Sequence, residues 1–235
     1  MDEWEELART VAIELRSAGF TRICGHPVES DIADRAEYID LLDQSPTEQD
    51  IQRYLGQHLR LVQAERGSLC RWIKAHQEFG NQYEADFLIV RMDSNPGIRW
   101  TLVELQRPDA DLYTARGRTS GQFDEGIRQI DDWRAWIGQN GDYARKPRRD
   151  SGLALTGLTA QADGLIMIGR RAVIPAEHRT KARSMTWPHR IEVHTYDWLA
   201  AEAQANIDRF GVTRDRTSQT CEECDPIGDV TGGAA

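Results

Sequence analysis

Three polar side chains sit inside two short apolar segments. Asp86 lies in Tyr83-Glu84-Ala85-Asp86-Phe87-Leu88-Ile89-Val90, and Glu104 and Gln106 lie in Trp100-Thr101-Leu102-Val103-Glu104-Leu105-Gln106-Arg107-Pro108. Carboxylates are hard oxygen ligands of the kind Mg²⁺ or Mn²⁺ takes. An ion held by them polarises a phosphodiester and lowers the pKa of an attacking water. A polar residue two positions beyond Glu104 falls where such a water must be held. The competing reading is a pair of edge carboxylates in unrelated ion pairs, because a D…ExQ pattern is short enough to arise by chance.

Both segments read as β-strands, rich in β-branched and aromatic residues. Between them, Asp93-Ser94-Asn95-Pro96-Gly97 is turn chemistry, which predicts a hairpin over 83–106. Side chains alternate along a strand, so Glu104 and Gln106 share one face and Val103 and Leu105 the other. The same rule puts Asp86 with Leu88, and Phe87 and Ile89 opposite.

Other elements frame this hairpin. Asp2 caps a predicted helix running to about Ser17, with Trp4, Leu7, Val11 and Leu15 at helical spacing, and Gly19 ends it. After a mixed segment, 20–30, a second helix is expected around Ile32–Leu42. Ser45, Pro46 and Glu48 suggest N-cap, N1 and N3 of a capping box, opening a helix to about Gln57. Ser68–Phe79 reads as a strand with Trp72, Lys74, His76 and Glu78 on one face. A polar loop covers 109–120, and an amphipathic helix covers roughly Phe123–Ile137. Residues 142–162 look loop-like. A buried strand follows at Gly164–Gly169, then a helical turn near 176–184, a strand at Arg190–Thr195 and a helix at Tyr196–Phe210. Alternating elements of this kind describe an α/β fold with a mixed sheet flanked by helices. Trp133, Trp136 and Trp198 fit apolar helical faces and are expected in the core. His58, His76, His178, His189 and His194 show no ligand spacing.

The chain has 235 residues, 40% of them hydrophobic and 29% charged. No apolar run approaches the roughly 18 residues of a membrane span, and the acidic start is unlike a signal peptide, so a cytoplasmic protein is expected. The four cysteines form no secreted disulfide framework. Cys221 and Cys224 make a lone CxxC in a polar, Gly-rich tail beyond Val212, with no second pair to complete a zinc site. The net charge of −9 argues against simple nucleic-acid coating. Residues 141–190 nevertheless hold ten Lys/Arg against four Asp/Glu, a local +6 that leaves −15 elsewhere. Such a segment can offer a phosphate-binding surface or be a solvated face.

The strings Glu84–Ile89 and Leu102–Pro108 resemble the core of the PD-(D/E)XK nuclease superfamily. More narrowly, they resemble the C-terminal nuclease domain of the Shedu anti-phage defence proteins. Glu48–Leu55 is similar to that family's leading helix, and Gln129–Ile137 to its helix after the hairpin. Ile168–Arg171 and Thr195–Leu199 are similar to its last two strand ends. The resemblance covers roughly residues 45–200. It implies a restriction-endonuclease-like core, placed at 45–210; the helical pattern before it leaves a short helical extension at 1–44, and the polar composition after it a flexible tail at 211–235. It also implies a Mg²⁺-dependent (or Mn²⁺-dependent) DNA endonuclease and a homo-oligomer.

Residue by residue, the resemblance makes Asp86 and Glu104 the metal-binding carboxylates. Glu48 becomes the helix acid that completes the site, unless it serves only its capping box. Gln106 stands where the superfamily usually has lysine, so it can hold water but brings no positive charge. This departure leaves a catalytically weakened DNA-binding or scaffold protein as the alternative. Lys74 or Arg107 could supply the missing charge. Gln129 could bond a metal-bound water or phosphate, or merely tie down a strand end. Arg170 and Arg171 are expected either to contact the DNA backbone or to pair with the acidic N-terminal half.

Overall fold

The computed structural model describes residues 3–62, 70–93 and 97–212. The turn at 94–96 and the CxxC tail lie outside them. Among the described residues, the elements run α1 (Glu3–Ser17), β1 (Thr21–Cys24), α2 (Glu29–Asp43), α3 (Glu48–Gln57), β2 (Cys70–Phe79), β3 (Tyr83–Asp93) and β4 (Gly97–Leu105). Then come α4 (Gly121–Gln139), α5 (Gly141–Arg145), β5 (Asp163–Met167), α6 (Ala176–Thr186), β6 (Ile191–His194) and α7 (Asp197–Phe210). No helix among them is long and apolar enough to cross a membrane.

The six strands form one open sheet in sequence order, β1 to β6. β1 through β4 pair antiparallel, whereas β4–β5 and β5–β6 pair parallel, so the sheet is mixed. Parallel neighbours need a crossover, which α4 and α6 provide. Each face of the sheet carries its own core. On one side, Val11 and Leu15 of α1, Ile130 and Trp133 of α4, and Ala182 of α6 pack with Leu88, Leu102 and Ile166. On the other, Tyr38 of α2, Ile51 and Leu55 of α3, and Leu199 of α7 pack with Phe87, Val103 and Leu165. The result is a three-layer α/β/α arrangement. Trp133 and Trp136 are core residues, as expected, and Trp198 stacks on His194.

Several local expectations are corrected. The mixed segment 20–30 contains β1, whose four residues are too few to show a period but find partners along β2. The loop-like stretch 142–162 opens with the short helix α5, and the turn near 176–184 is the eleven-residue α6. The capping box is shifted by two residues. Thr47 is the N-cap and Asp50 is N3, with Thr47 Oγ1 accepting from Asp50 N and Asp50 accepting from Thr47 N. Ser45 instead adopts a left-handed φ of 55°. Glu48 is thus free of capping duty.

The single-face expectation for β2 also fails. His76 has φ 55°, and the strand's alternation inverts there: Trp72 and Phe79 share one core, while Glu78 is exposed. β3 inverts opposite it, between the ladder pairs Ala75↔Phe87 and Gln77↔Ala85. Ala85 and Leu88 belong to one core and Phe87 and Ile89 to the other, so regular alternation breaks at Asp86.

Gly169 locks together the strand ends that carry the candidate site. Its N–H donates to Arg107 O at 3.1 Å, and its carbonyl accepts from Tyr196 N at 3.1 Å. Its φ is +66°, and a Cβ there would overlap the Ala110 carbonyl and the Ile174 side chain. A left-handed L-residue alone costs about 1–2 kcal/mol. Gly169→Ala should therefore lower Tm by at least about 2–4 °C, the shift expected per kcal/mol in a chain of this size. Thermal denaturation followed by circular dichroism checks this, and an unchanged Tm would contradict the close approach.

Candidate active site

β3 and β4 part company at Asp86. Their ladder ends at the pair Phe87↔Val103, after which β4 continues beside β5 with Glu104↔Ile166 and Leu105↔Met167. The Leu105 N–H, no longer served by β3's backbone, donates to Asp86 Oδ2 at 2.7 Å. The other Asp86 oxygen accepts from Gln52 Nε2. Gln52 lies one helical turn after Glu48, so both side chains project from the same side of α3. The helix thus offers the fork an amide and a carboxylate.

Across the fork, Glu104 is 5% exposed and Gln106 4%. Gln106 Nε2 donates to Glu104 Oε1 at 2.8 Å and to Gln129 Oε1 of α4 at 3.1 Å. The helix comes this close because residue 126 is glycine: a Cβ there would meet Gln106 Cγ at 3.3 Å. Gln106's backbone is held as firmly. Its N–H donates to Met167 O at 2.8 Å, and its carbonyl accepts from the buried Tyr196 hydroxyl at 2.6 Å.

The charge balance at this fork is lopsided. Burial, followed by the charge of Asp86, pushes the Glu104 carboxyl well above the ordinary range. Burial also raises Asp86, against the opposing hydrogen bonds from Leu105 and Gln52. Glu48 is raised by burial and by Asp86 in turn, and Arg107 only partly offsets this. A buried and a half-buried carboxylate without a cation between them are costly, and a divalent ion would relieve both.

Among the described residues, no three His, Cys, Asp or Glu side chains are grouped as a ready-made metal cage. Mg²⁺ does not require one. It is commonly held by one or two carboxylates and keeps several waters. Asp86 and Glu104 supply that donor set, and Glu48 stands within electrostatic reach of both.

The remaining expected site residues divide. Gln129 joins the network directly. Arg170 is engaged elsewhere: its guanidinium bonds Asp197 and Asp43 at 3.1 Å and the Leu42 carbonyl, tying α2 to α7. Arg171 is exposed, and its backbone N–H binds Asp197. Lys74 bonds Gln77 at 2.9 Å and lies over Phe20 on the α1 side, and no hydrogen bond joins it to the fork. Arg107 is paired with Asp109 at 2.6 Å. Two residues given no role from the sequence belong to the network, Gln52 and Tyr196. The first carried a readable signal, its i+4 spacing from Glu48; the second carried none.

An open mixed sheet covered by helices on both faces, with a buried and a half-buried carboxylate at a strand fork, defines an α/β protein with a candidate cation-binding centre. A family model described as Shedu protein SduA, C-terminal, matches residues 45–200, and the chain belongs to that family. The matched span includes Glu48, Gln52, Asp86, Glu104, Gln106, Gln129 and Tyr196. Membership implies a role in anti-phage defence. No curated protein matches the chain.

The raised carboxyls have a consequence for stability. Between the ordinary carboxylate range and their elevated pKa values, the folded state binds more protons than the unfolded one. Stability contributed by these groups is therefore present at low pH and lost as pH rises through that interval. In EDTA at neutral pH, Glu104→Gln should melt a few degrees above wild type, with each kcal/mol worth about 2–4 °C. The gap should close as pH falls toward the ordinary carboxylate range. Melting curves across pH check this, and a variant never more stable than wild type would refute the charge strain.

Proposed function

We propose that the chain is a cytoplasmic, Mg²⁺- or Mn²⁺-dependent DNA endonuclease of the PD-(D/E)XK type, acting in defence against phage. The observation that carries this reading is the convergence of Asp86, Glu104 and Gln106 at one buried fork. Family membership over the same residues supports it.

In this reading Asp86 and Glu104 hold the cation, with Glu48 assisting. A cation bound there would supply Lewis-acid polarisation of the phosphodiester and would lower the pKa of a water. Gln106 orients the attacking water. Both hydrogens of its amide are directed at Glu104 and Gln129, so Oε1 is the atom left to accept from that water. Glutamine neither takes up nor releases a proton near neutral pH, so it positions the water and does not act as the base. Gln52 holds Asp86 in orientation, and Tyr196 holds the backbone of Gln106. Attack on phosphorus in line with the leaving ribose oxygen transfers hydroxide to the phosphate and a proton to the departing oxygen.

One observation favours a second reading, a DNA-binding protein that does not cleave. Gln106's amide N–H groups are both spent on protein acceptors, and among the described residues no Lys or Arg side chain hydrogen-bonds Asp86, Glu104 or Gln106 to replace the charge of a lysine. Nicking of supercoiled plasmid with Mg²⁺ or Mn²⁺ separates the two. Wild type should nick, and Asp86→Ala and Glu104→Ala should each fall at least about a hundred-fold, since metal stabilisation of the transition state is worth several kcal/mol. Equal nicking by all three proteins would remove the nuclease reading. Gln106→Lys should raise the rate if the site is limited by missing charge.

A further inference from the structure

The loop between Gln106 and α4 contains a built hairpin at 113–119. Tyr113 and Thr119 form an antiparallel bridge. Thr114 N donates to Arg118 O and Gly117 N to Thr114 O, each at 2.8 Å. Gly117 supplies the left-handed φ of +74° that closes the turn. Tyr113 anchors the hairpin from below. It is buried and packs edge-on against Phe123 of α4 and His178 of α6. Lys181 of α6 braces the tip: its Nζ lies 3.3 Å from Gly117 O and 4.2 Å from the centre of the Tyr113 ring.

This rigid tip presents Arg116 and Arg118, both exposed. They are the only charged residues of 113–120. Among the described residues, neither guanidinium has a hydrogen-bond or ion-pair partner. Several other arginines are consumed by the fold, although Arg99, Arg148 and Arg171 are also exposed and, among the described residues, without a side-chain partner. Arg134 caps the Ala162 and Arg190 carbonyls, Arg170 binds Asp197 and Asp43, Arg183 meets His194, and Arg190 pairs with Asp163. An ordered hairpin holding two unspent guanidiniums is a preorganised anion contact.

Its position relates it to the fork. Ala110, three residues before the hairpin, abuts Gly169 at the sheet end from which Gln106 emerges. Ser120, directly after it, caps α4, the helix that carries Gln129 to Gln106. Nine residues of helix separate Ser120 from Gln129, about 14 Å at 1.5 Å per residue. That length corresponds to roughly four nucleotides of one strand at 3.4 Å rise.

We infer that the 113–119 hairpin, braced by Lys181, is a DNA-backbone contact, with Arg116 and Arg118 each taking a phosphate of the strand bound at Asp86 and Glu104. The identity of the polymer rests on the nuclease reading. The contact is independent of base sequence, because phosphates position a duplex without specifying it.

The test uses the full chain in EDTA, with duplex oligonucleotides of unrelated sequence and salt varied over about 50–200 mM. Arg116→Ala/Arg118→Ala should reduce the slope of log affinity against log salt by about 2, roughly one per phosphate contact, equally for every sequence. Arg116→Lys/Arg118→Lys should keep most of the slope, and matched melting curves exclude misfolding. Wild-type binding with the slope unchanged in the alanine variant would overturn the hairpin contact alone. The slope loss intact in EDTA, together with no nicking by wild type in the plasmid assay with Mg²⁺ or Mn²⁺, would remove the nuclease reading and leave the contact standing. No DNA binding by wild type would remove both.

Discussion

The hydrogen bond from Leu105 N to Asp86 Oδ2 is the interaction on which the candidate site depends. Where two antiparallel strands separate, backbone donors lose their partners, and a buried N–H left unpaired costs about 1–3 kcal/mol. Here a side-chain carboxylate replaces the missing strand. The fork can open without an orphaned donor, and the replacement carries negative charge into the gap. Glu104 sits one residue away on a strand now paired with β5, so the same divergence brings the second carboxylate close.

Both faces of the sheet are recruited to this point. α3, on the side of the Phe87 core, sends Gln52 to Asp86. α4, on the opposite side, sends Gln129 to Gln106. The β6–α7 junction sends the Tyr196 hydroxyl to the Gln106 carbonyl. Neutral amides and a phenol therefore fix the geometry, and burial keeps the carboxyls above their ordinary range. Charge from His76 and Arg107 opposes the carboxyl shifts only in part.

Positive charge is distributed on a different principle. The 141–190 segment is basic on paper, yet Arg170, Arg183 and Arg190 are spent on carboxylates, carbonyls and a histidine within the fold. Such residues tie elements together, so a count of charge along the chain overstates the surface open to a polyanion. What matters for phosphate is the charge left unpaired on an ordered support, and the 113–119 hairpin provides it.

The sequence by itself determined the hairpin, the α4 helix, the mixed α/β character and the shared face of Glu104 and Gln106. These follow from periods of two or 3.6 residues and from turn residues, which are local. It did not reveal β1, whose four residues become a strand only against β2, nor the left-handed His76 opposite which β3 changes faces. Local signals also misplaced the cap of α3, because Ser45 and Thr47 are both good cap residues and the chain path chooses between them. The pairing of Asp86 with Glu104 was legible in the sequence, but only the tertiary structure decided that Asp86 bonds Leu105 and Gln52, and that Tyr196 supports Gln106 across 90 residues. Periodicity assigns a side chain to a face. Which distant backbone group is left without a partner, and which side chain satisfies it, is settled only when the elements pack.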